Sequence, residues 1–220
     1  PDLPPPAPVV AGLLASVTRG SCHRYPGYRG TDSLRSAIAQ YYARRFNVQV
    51  DAETQVLPLL GSKEGIVHLT LASIDPGDVV LLPNPGYAPY LRSVLLAGGE
   101  PQFLPLLEER AFLPDLQALP SETVRRATML WLNYPNNPTG ATADMDSLAE
   151  MVAFARENDI TLCHDAPYSE VTFDGYVAPS ILQVPGAAEM AIEFNSLSKT
   201  CNMAGWRIGM AVGSPSIVDV

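Results

Sequence analysis

The stretch "EFNSLSKTCNMAGWRIGM", Glu193 to Met210, sets Lys199 just past an apolar run, with Arg207 eight residues on. A lysine beside a second cation and out of bulk water is expected to have a lowered pKa, and a lysine so tuned forms Schiff bases. Arg207 offers a planar fork suited to phosphate, and Ser196 adds a hydroxyl. Far upstream, Gly61, Ser62 and Lys63 follow another apolar run and open a helical pattern. Helix N-termini carry partial positive charge and free N–H groups, so Ser62 and its neighbours make a ready anion site. Asp165 closes a third apolar run, with Tyr168 three residues later.

Alternating elements must position these groups. "TDSLRSAIAQYYARRF" predicts a helix capped by Thr31 or Asp32, with Leu34, Ile38, Tyr41 and Tyr42 on one face. "KEGIVHLTLASI" predicts a second, with Ile66, Val67, Thr70, Leu71 and Ile74 inside. "DMDSLAEMVAFAREN" predicts another, with Leu148, Met151, Val152 and Ala155 inside. "APYLRSVLLAG" also reads as a helix, and "TQVLPLL" as a buried strand. Further strands are "DVVLLP", "EPQFLPL", "RATMLWLN", "ITLCHD", "EMAIEFN" and "RIGMAVG". Short apolar strands separated by amphipathic helices predict an α/β fold around a largely parallel sheet. Gly61-Ser62-Lys63, Asn84-Pro85-Gly86-Tyr87, Asn133 with "NNPTG", Asp165 with Tyr168, and Ser196 with Ser198 and Lys199 each follow a strand's carboxyl end. Open α/β sheets bind their ligands at that edge. A phosphate site, an imine-forming lysine and a buried carboxylate on one edge suggest pyridoxal 5′-phosphate, with Asp165 keeping the pyridine nitrogen protonated.

Composition narrows the classes. With 220 residues, 47% of them hydrophobic, the chain can bury a substantial core. The net charge of −9 argues against nucleic acid as a partner. No apolar run is long enough for a membrane span, and the proline-rich start does not read as a signal peptide. Three scattered cysteines, Cys22, Cys163 and Cys201, predict reduced thiols in a cytoplasmic protein. His23, His68 and His164 lack metal-ligand spacing, so no metal site is expected. There is no G-x-S-x-G for a serine hydrolase and no early G-x-G-x-x-G for a nicotinamide site. Bland readings stand beside these. Lysines after strands are mostly solvated, Asp165 could cap a helix, Ser62 could do the same, and Tyr25 and Tyr87 could be half-buried aromatics. Tyr28, Tyr90 and Trp206 read as packing residues.

The pieces "YPGYRGTDSLRSAIAQYY", "GSKEGI", "NPGYAPY", "NYPNNPTGA", "HDAPYSE" and "SLSKTCNMAGWRIG" run in order over nearly the whole chain. Together they resemble the class I/II, fold-type I, pyridoxal-phosphate-dependent aminotransferases, and "GSKEGI" leans towards the diaminopimelate- and alanine-type branch. The resemblance implies a three-layer α/β/α domain with a largely parallel mixed sheet, and amino transfer between an amino acid and a 2-oxo acid. It implies that Lys199 holds the cofactor as a Schiff base and shuttles a proton, and that Asp165 pairs with the pyridinium. Tyr168 and Asn137 would bond the ring's 3′ oxygen, and Tyr87 would stack on the ring. Ser62, Lys63 (through its backbone N–H), Ser196 and Arg207 would line the phosphate. Tyr25 would reach the phosphate of a neighbouring subunit, which implies a homodimer. Asn84-Pro85 and Asn137-Pro138 would be cis.

The same resemblance divides the chain into a connecting segment, 1–30, and a cofactor-binding large domain, 31–220. It places an N-terminal arm and a small C-terminal domain, with the arginine for the substrate α-carboxylate, outside these residues. Residues 1–220 alone would then be poorly soluble and inactive. A lyase or decarboxylase on the same scaffold, and a non-catalytic ligand-sensing domain, stay open as alternatives.

Overall fold

The computed structural model describes residues 3–220, so the first two residues of the expected connecting segment lie outside it. Helix α1 (Ala7–Val17) buries none of its residues, and a short turn, Gly20–His23, follows it. Helix α2 (Asp32–Phe46) begins where Thr31 accepts a hydrogen bond from the Leu34 amide, a cap that contributes about 1 kcal/mol. It ends on Asn47 in the left-handed conformation. Then alternate β1 (Val56–Leu59), α3 (Ser62–Ser73), β2 (Val79–Asn84), α4 (Ala88–Ala97), β3 (Glu100–Pro105), α5 (Ser121–Arg126) and β4 (Ala127–Asn133). The chain closes with α6 (Met145–Glu157), β5 (Thr161–Asp165), β6 (Ala191–Ser196), α7 (Leu197–Thr200), β7 (Gly209–Gly213) and α8 (Pro215–Val218).

The strands form one sheet in the order β1-β7-β6-β5-β4-β2-β3. β7 runs antiparallel to both its neighbours and every other pairing is parallel, so six strands share one direction. Their carboxyl ends therefore meet on one edge, and β7 enters the sheet from that same edge. β1 is an edge strand in which only Val56 is fully buried, so the expected buried strand is half-covered.

Because side chains alternate across a strand, β4 sends Leu130 and Leu132 to one face and Met129 and Trp131 to the other. The first face packs on Ile38, Tyr42 and Phe46 of α2 and Leu148, Met151 and Val152 of α6. The second packs on Ile66 and Leu69 of α3, Tyr90 and Val94 of α4, and Val218 of α8. The result is the three-layer α/β/α sandwich with a mixed, mostly parallel sheet.

Two helical faces are turned from their expected phase. In α2, Leu34 is exposed and Arg35 is buried. The Arg35 guanidinium reaches the carbonyls of Arg29, Gly30 and Ala52 and the carboxylates of Asp32 and Glu53, and that set of acceptors draws it inward. In α3, Leu71 is exposed and Leu69 takes the inner position, where α4 packs alongside. Tyr28 is fully exposed, not a packing residue, because no layer of the fold covers the segment that carries it. Asn84-Pro85 and Asn137-Pro138 are both cis, as is Tyr134-Pro135.

Candidate active site

Nine of the ten residues singled out as cofactor ligands line one cavity of about 590 Å³ at the carboxyl edge. Ser62 and Lys63 come from the start of α3, Tyr87 from the turn after β2, and Asn137 from the loop after β4. Asp165 and Tyr168 follow β5, and Ser196, Lys199 and Arg207 lie between β6 and β7. The tenth, Tyr25, is fully exposed and does not line the cavity.

Asp165 sits at the floor, 3% exposed. Its Oδ2 accepts a 2.7 Å hydrogen bond from the Tyr90 hydroxyl, while its Oδ1 is buried without a partner. Burial pushes its carboxyl up to about 6, against the opposing pull of the Tyr90 bond and of nearby His164. The adjacent His164 points to the opposite face, where its Nδ1 lies 3.0 Å from Glu193. Alternation thus separates two neighbours that could not have formed a catalytic relay.

The same cavity is lined by cationic groups. Gly61 is the N-cap of α3, with no side-chain cap bond, so Ser62 is the first helical residue and not the cap. Gly61 has φ +90°, and a Cβ there would stand 2.2 Å from Nη2 of Arg207. The guanidinium occupies the space that glycine leaves, donating to the Leu60 carbonyl at 3.1 Å and the Ala204 carbonyl at 2.9 Å. Arg207 itself is left-handed, φ 57°, a conformation costing about 1 kcal/mol in a non-glycine residue and tolerated where surroundings enforce it. Gly209 admits an equally close approach, since a Cβ there would lie 2.6 Å from the Ser62 amide nitrogen. The Ser196 hydroxyl accepts from the Ser198 amide at 3.2 Å and caps α7.

Lys199 lines the cavity with Nζ 6.0 Å from the Tyr168 ring centroid, and the Lys63 ammonium lies 5.9 Å from the Tyr87 ring centroid. Lys199 is exposed rather than held out of bulk water, because the cavity opens to solvent above it. With Lys63, Lys199 and Arg207 against Asp165, the cavity carries an excess of positive charge within an acidic chain.

Two residues that matter to this geometry are not among the expected cofactor contacts, although Asn133 is one of the strand-end polar groups. Buried Asn133 donates from Nδ2 to the Asp165 carbonyl and accepts the Asn137 amide on Oδ1, both at 2.7 Å. It ties the loop bearing Asn137 to the strand bearing Asp165. Its position at a strand's carboxyl end was the available signal. Tyr90, expected to pack only, also donates to the Asp165 carboxylate. The spacing of Tyr87 and Tyr90, about one helical turn, could have revealed that both face the same edge.

An α/β sandwich whose mixed sheet edge gathers a lysine, a buried carboxylate and an arginine has the fold of the fold-type I pyridoxal-phosphate enzymes. The family model for aminotransferase class I and II matches residues 3–220, and the chain belongs to that family. It is 51% identical over 219 residues to the LL-diaminopimelate aminotransferase of Moorella thermoacetica, covering 100% of this chain and 56% of that protein. The corresponding protein of Aquifex aeolicus is 47% identical over 218 residues, with 99% and 56% covered. Among solved structures, apo-BacF from Bacillus subtilis superposes with a TM-score of 0.96 at 40% identity, covering 100% of this chain and 56% of that one. A probable N-succinyldiaminopimelate aminotransferase from Thermus thermophilus gives 0.92 at 38% identity, with 99% and 58% covered. The chain therefore spans a little over half the length of the relatives it matches.

Proposed function

We propose that these residues form the cofactor-binding part of a pyridoxal-phosphate-dependent aminotransferase acting on an amino acid and a 2-oxo acid. The observation that carries this is the Asp165 carboxylate, with one oxygen held by Tyr90 and the other orphaned, in a cavity that Arg207 also lines from the space left by Gly61. An unpartnered buried oxygen fits a protonated ring nitrogen, and the cradle that a Cβ would fill fits a phosphate.

Asp165 would hold the ring nitrogen. Ser62, the Lys63 amide, Ser196 and Arg207 would hold the phosphate, and Asn137 and Tyr168 the 3′ oxygen. Tyr87 would cover the ring face, and Lys199 would anchor the cofactor covalently through its amine. When bound, the cofactor supplies an electron sink for the bond broken at the substrate's Cα. The Lys199 amine would be the base that takes the substrate's Cα proton and returns it. Tyr168, whose ring centroid lies 6.0 Å from Lys199 Nζ, would stand near that amine while bonding the ring oxygen.

Relatives that are half identical and named LL-diaminopimelate aminotransferases support LL-diaminopimelate as the amino donor. The reading extends to a cytoplasmic homodimer in which Tyr25 serves the neighbouring site, and to a division into segment 1–30 and domain 31–220. Among the described residues no helix is long and apolar enough to cross a membrane. The test uses the intact protein that carries these residues. Borohydride should trap pyridoxal phosphate on Lys199, and amino transfer from LL-diaminopimelate to a panel of 2-oxo acids should exceed that from other amino acids. A Lys199→Ala protein that still yields a reducible adduct at another lysine would sink the assignment.

A further inference from the structure

We propose that Tyr90 is a positioning residue for Asp165, its hydroxyl holding Oδ2 so that Oδ1 is presented to the nitrogen of the bound ring. This rests on the functional reading above. The Tyr90 ring has little freedom. It stacks on Trp131 at 5.0 Å and 12°, meets Tyr87 edge-on at 5.6 Å, and is 1% exposed. The Trp131 ring rests in turn on Phe194 at 5.6 Å, so the column continues across the sheet to β6. Among the described residues the phenol O–H has Asp165 as its one hydrogen-bond partner. At 2.7 Å the bond has the length of a charge-assisted O–H donor to a carboxylate.

Among the described residues the carboxylate has no other donor. The titratable groups around it are His164 on its own strand, Tyr90 and Tyr87 at α4, Tyr168 beyond β5, and Lys199 across the cavity. Of these, the Tyr90 hydroxyl is the largest influence favouring the ionised form. Its removal leaves a buried carboxylate with neither oxygen bonded, and the proton is then held more tightly. Tyr90→Phe keeps the ring, the stack and the volume, and deletes that bond alone.

The experiment measures affinity for pyridoxal 5′-phosphate from pH 5 to 9 in the intact protein carrying Lys199→Ala, so that binding is non-covalent. In that parent, affinity should fall with acid as Asp165 takes up a proton, since a neutral carboxyl no longer attracts a protonated ring nitrogen. Adding Tyr90→Phe should move the midpoint up by about one pH unit, weakening binding about twofold at pH 7 and about tenfold near pH 5. Near pH 9, where the carboxyl is ionised in both proteins, the two affinities should converge. Adding Asp165→Asn instead should abolish this limb of the profile. An unchanged midpoint in Tyr90→Phe, or equal weakening at every pH, would overturn the positioning role while leaving the function intact. A parent that does not bind the cofactor, or an Asp165→Asn profile like the parent's, would overturn the functional reading and this inference together.

Discussion

The guanidinium of Arg207 fills the volume that a side chain on Gly61 would occupy, with a prospective Cβ 2.2 Å from Nη2. The loop before α3 and the loop before β7, far apart in sequence, are fitted to each other at this point. Gly61→Ala should displace the guanidinium and strain a backbone at φ +90°. Stability should fall by about 1 kcal/mol or more, and protection by inorganic phosphate in thermal melts should fall with it. Full phosphate protection in Gly61→Ala would show that the cradle does not depend on this fit.

Arg207→Lys tests the fork as distinct from the charge. Lysine keeps the cation but cannot bond the Leu60 and Ala204 carbonyls while presenting a second N–H to an anion. Phosphate affinity, read by calorimetry, should drop about tenfold. A lysine variant equal to the parent would reduce Arg207 to a point charge.

Asp165 links stability to pH. Its carboxyl rises from 3.8 to about 6 on folding, so the folded protein favours the neutral form. That contribution is complete below about pH 4 and is lost as pH rises through about 6, a change of about 3 kcal/mol. Asparagine cannot ionise. Without cofactor, the excess stability of Asp165→Asn over the parent should therefore grow between pH 4 and 7.5, as urea unfolding would reveal. A constant difference across that range would mean the buried carboxyl does not titrate there.

Glu193 gathers four donors on the other face of the sheet: the Tyr42 hydroxyl, His164 Nδ1, the Ser180 hydroxyl and the Ile181 amide, at 2.9 to 3.0 Å. It is fully buried. Glu193→Ala should cost about 3–5 kcal/mol by orphaning them all, and Glu193→Gln less, since one acceptor survives. Chemical denaturation of both variants decides it. A loss below about 1 kcal/mol in the alanine protein would show that water replaces the carboxylate freely.

Strand order along the chain and the convergence of distant polar groups were legible because apolar runs and strand-end residues are local signals. Helix phase was less so. Leu34 and Leu71 fit an apolar stripe, but the buried acceptors around Arg35 and the α3–α4 contact set the faces, and neither is visible along the chain. Tyr90 was misread because a packing aromatic and a carboxylate donor look alike until the partner's position is known. The direction of β7 had no such cue: residues 197–208 between β6 and β7 are about as long as the shortest crossover between parallel neighbours.

That reversed strand also bears on how the site assembles in time. Lys199 and Arg207 stand eight positions apart within one hairpin connection, whereas Ser62 must meet Ser196 across 134 positions. Loop closure over the shorter distance costs about 2–3 kcal/mol less in chain entropy. The β6–β7 hairpin can therefore bring the lysine and the arginine together as a local event. The serine of α3 joins them only through long-range packing, α3 on β6 and β7 and β1 paired with β7, the pairing in the sheet that spans the most chain.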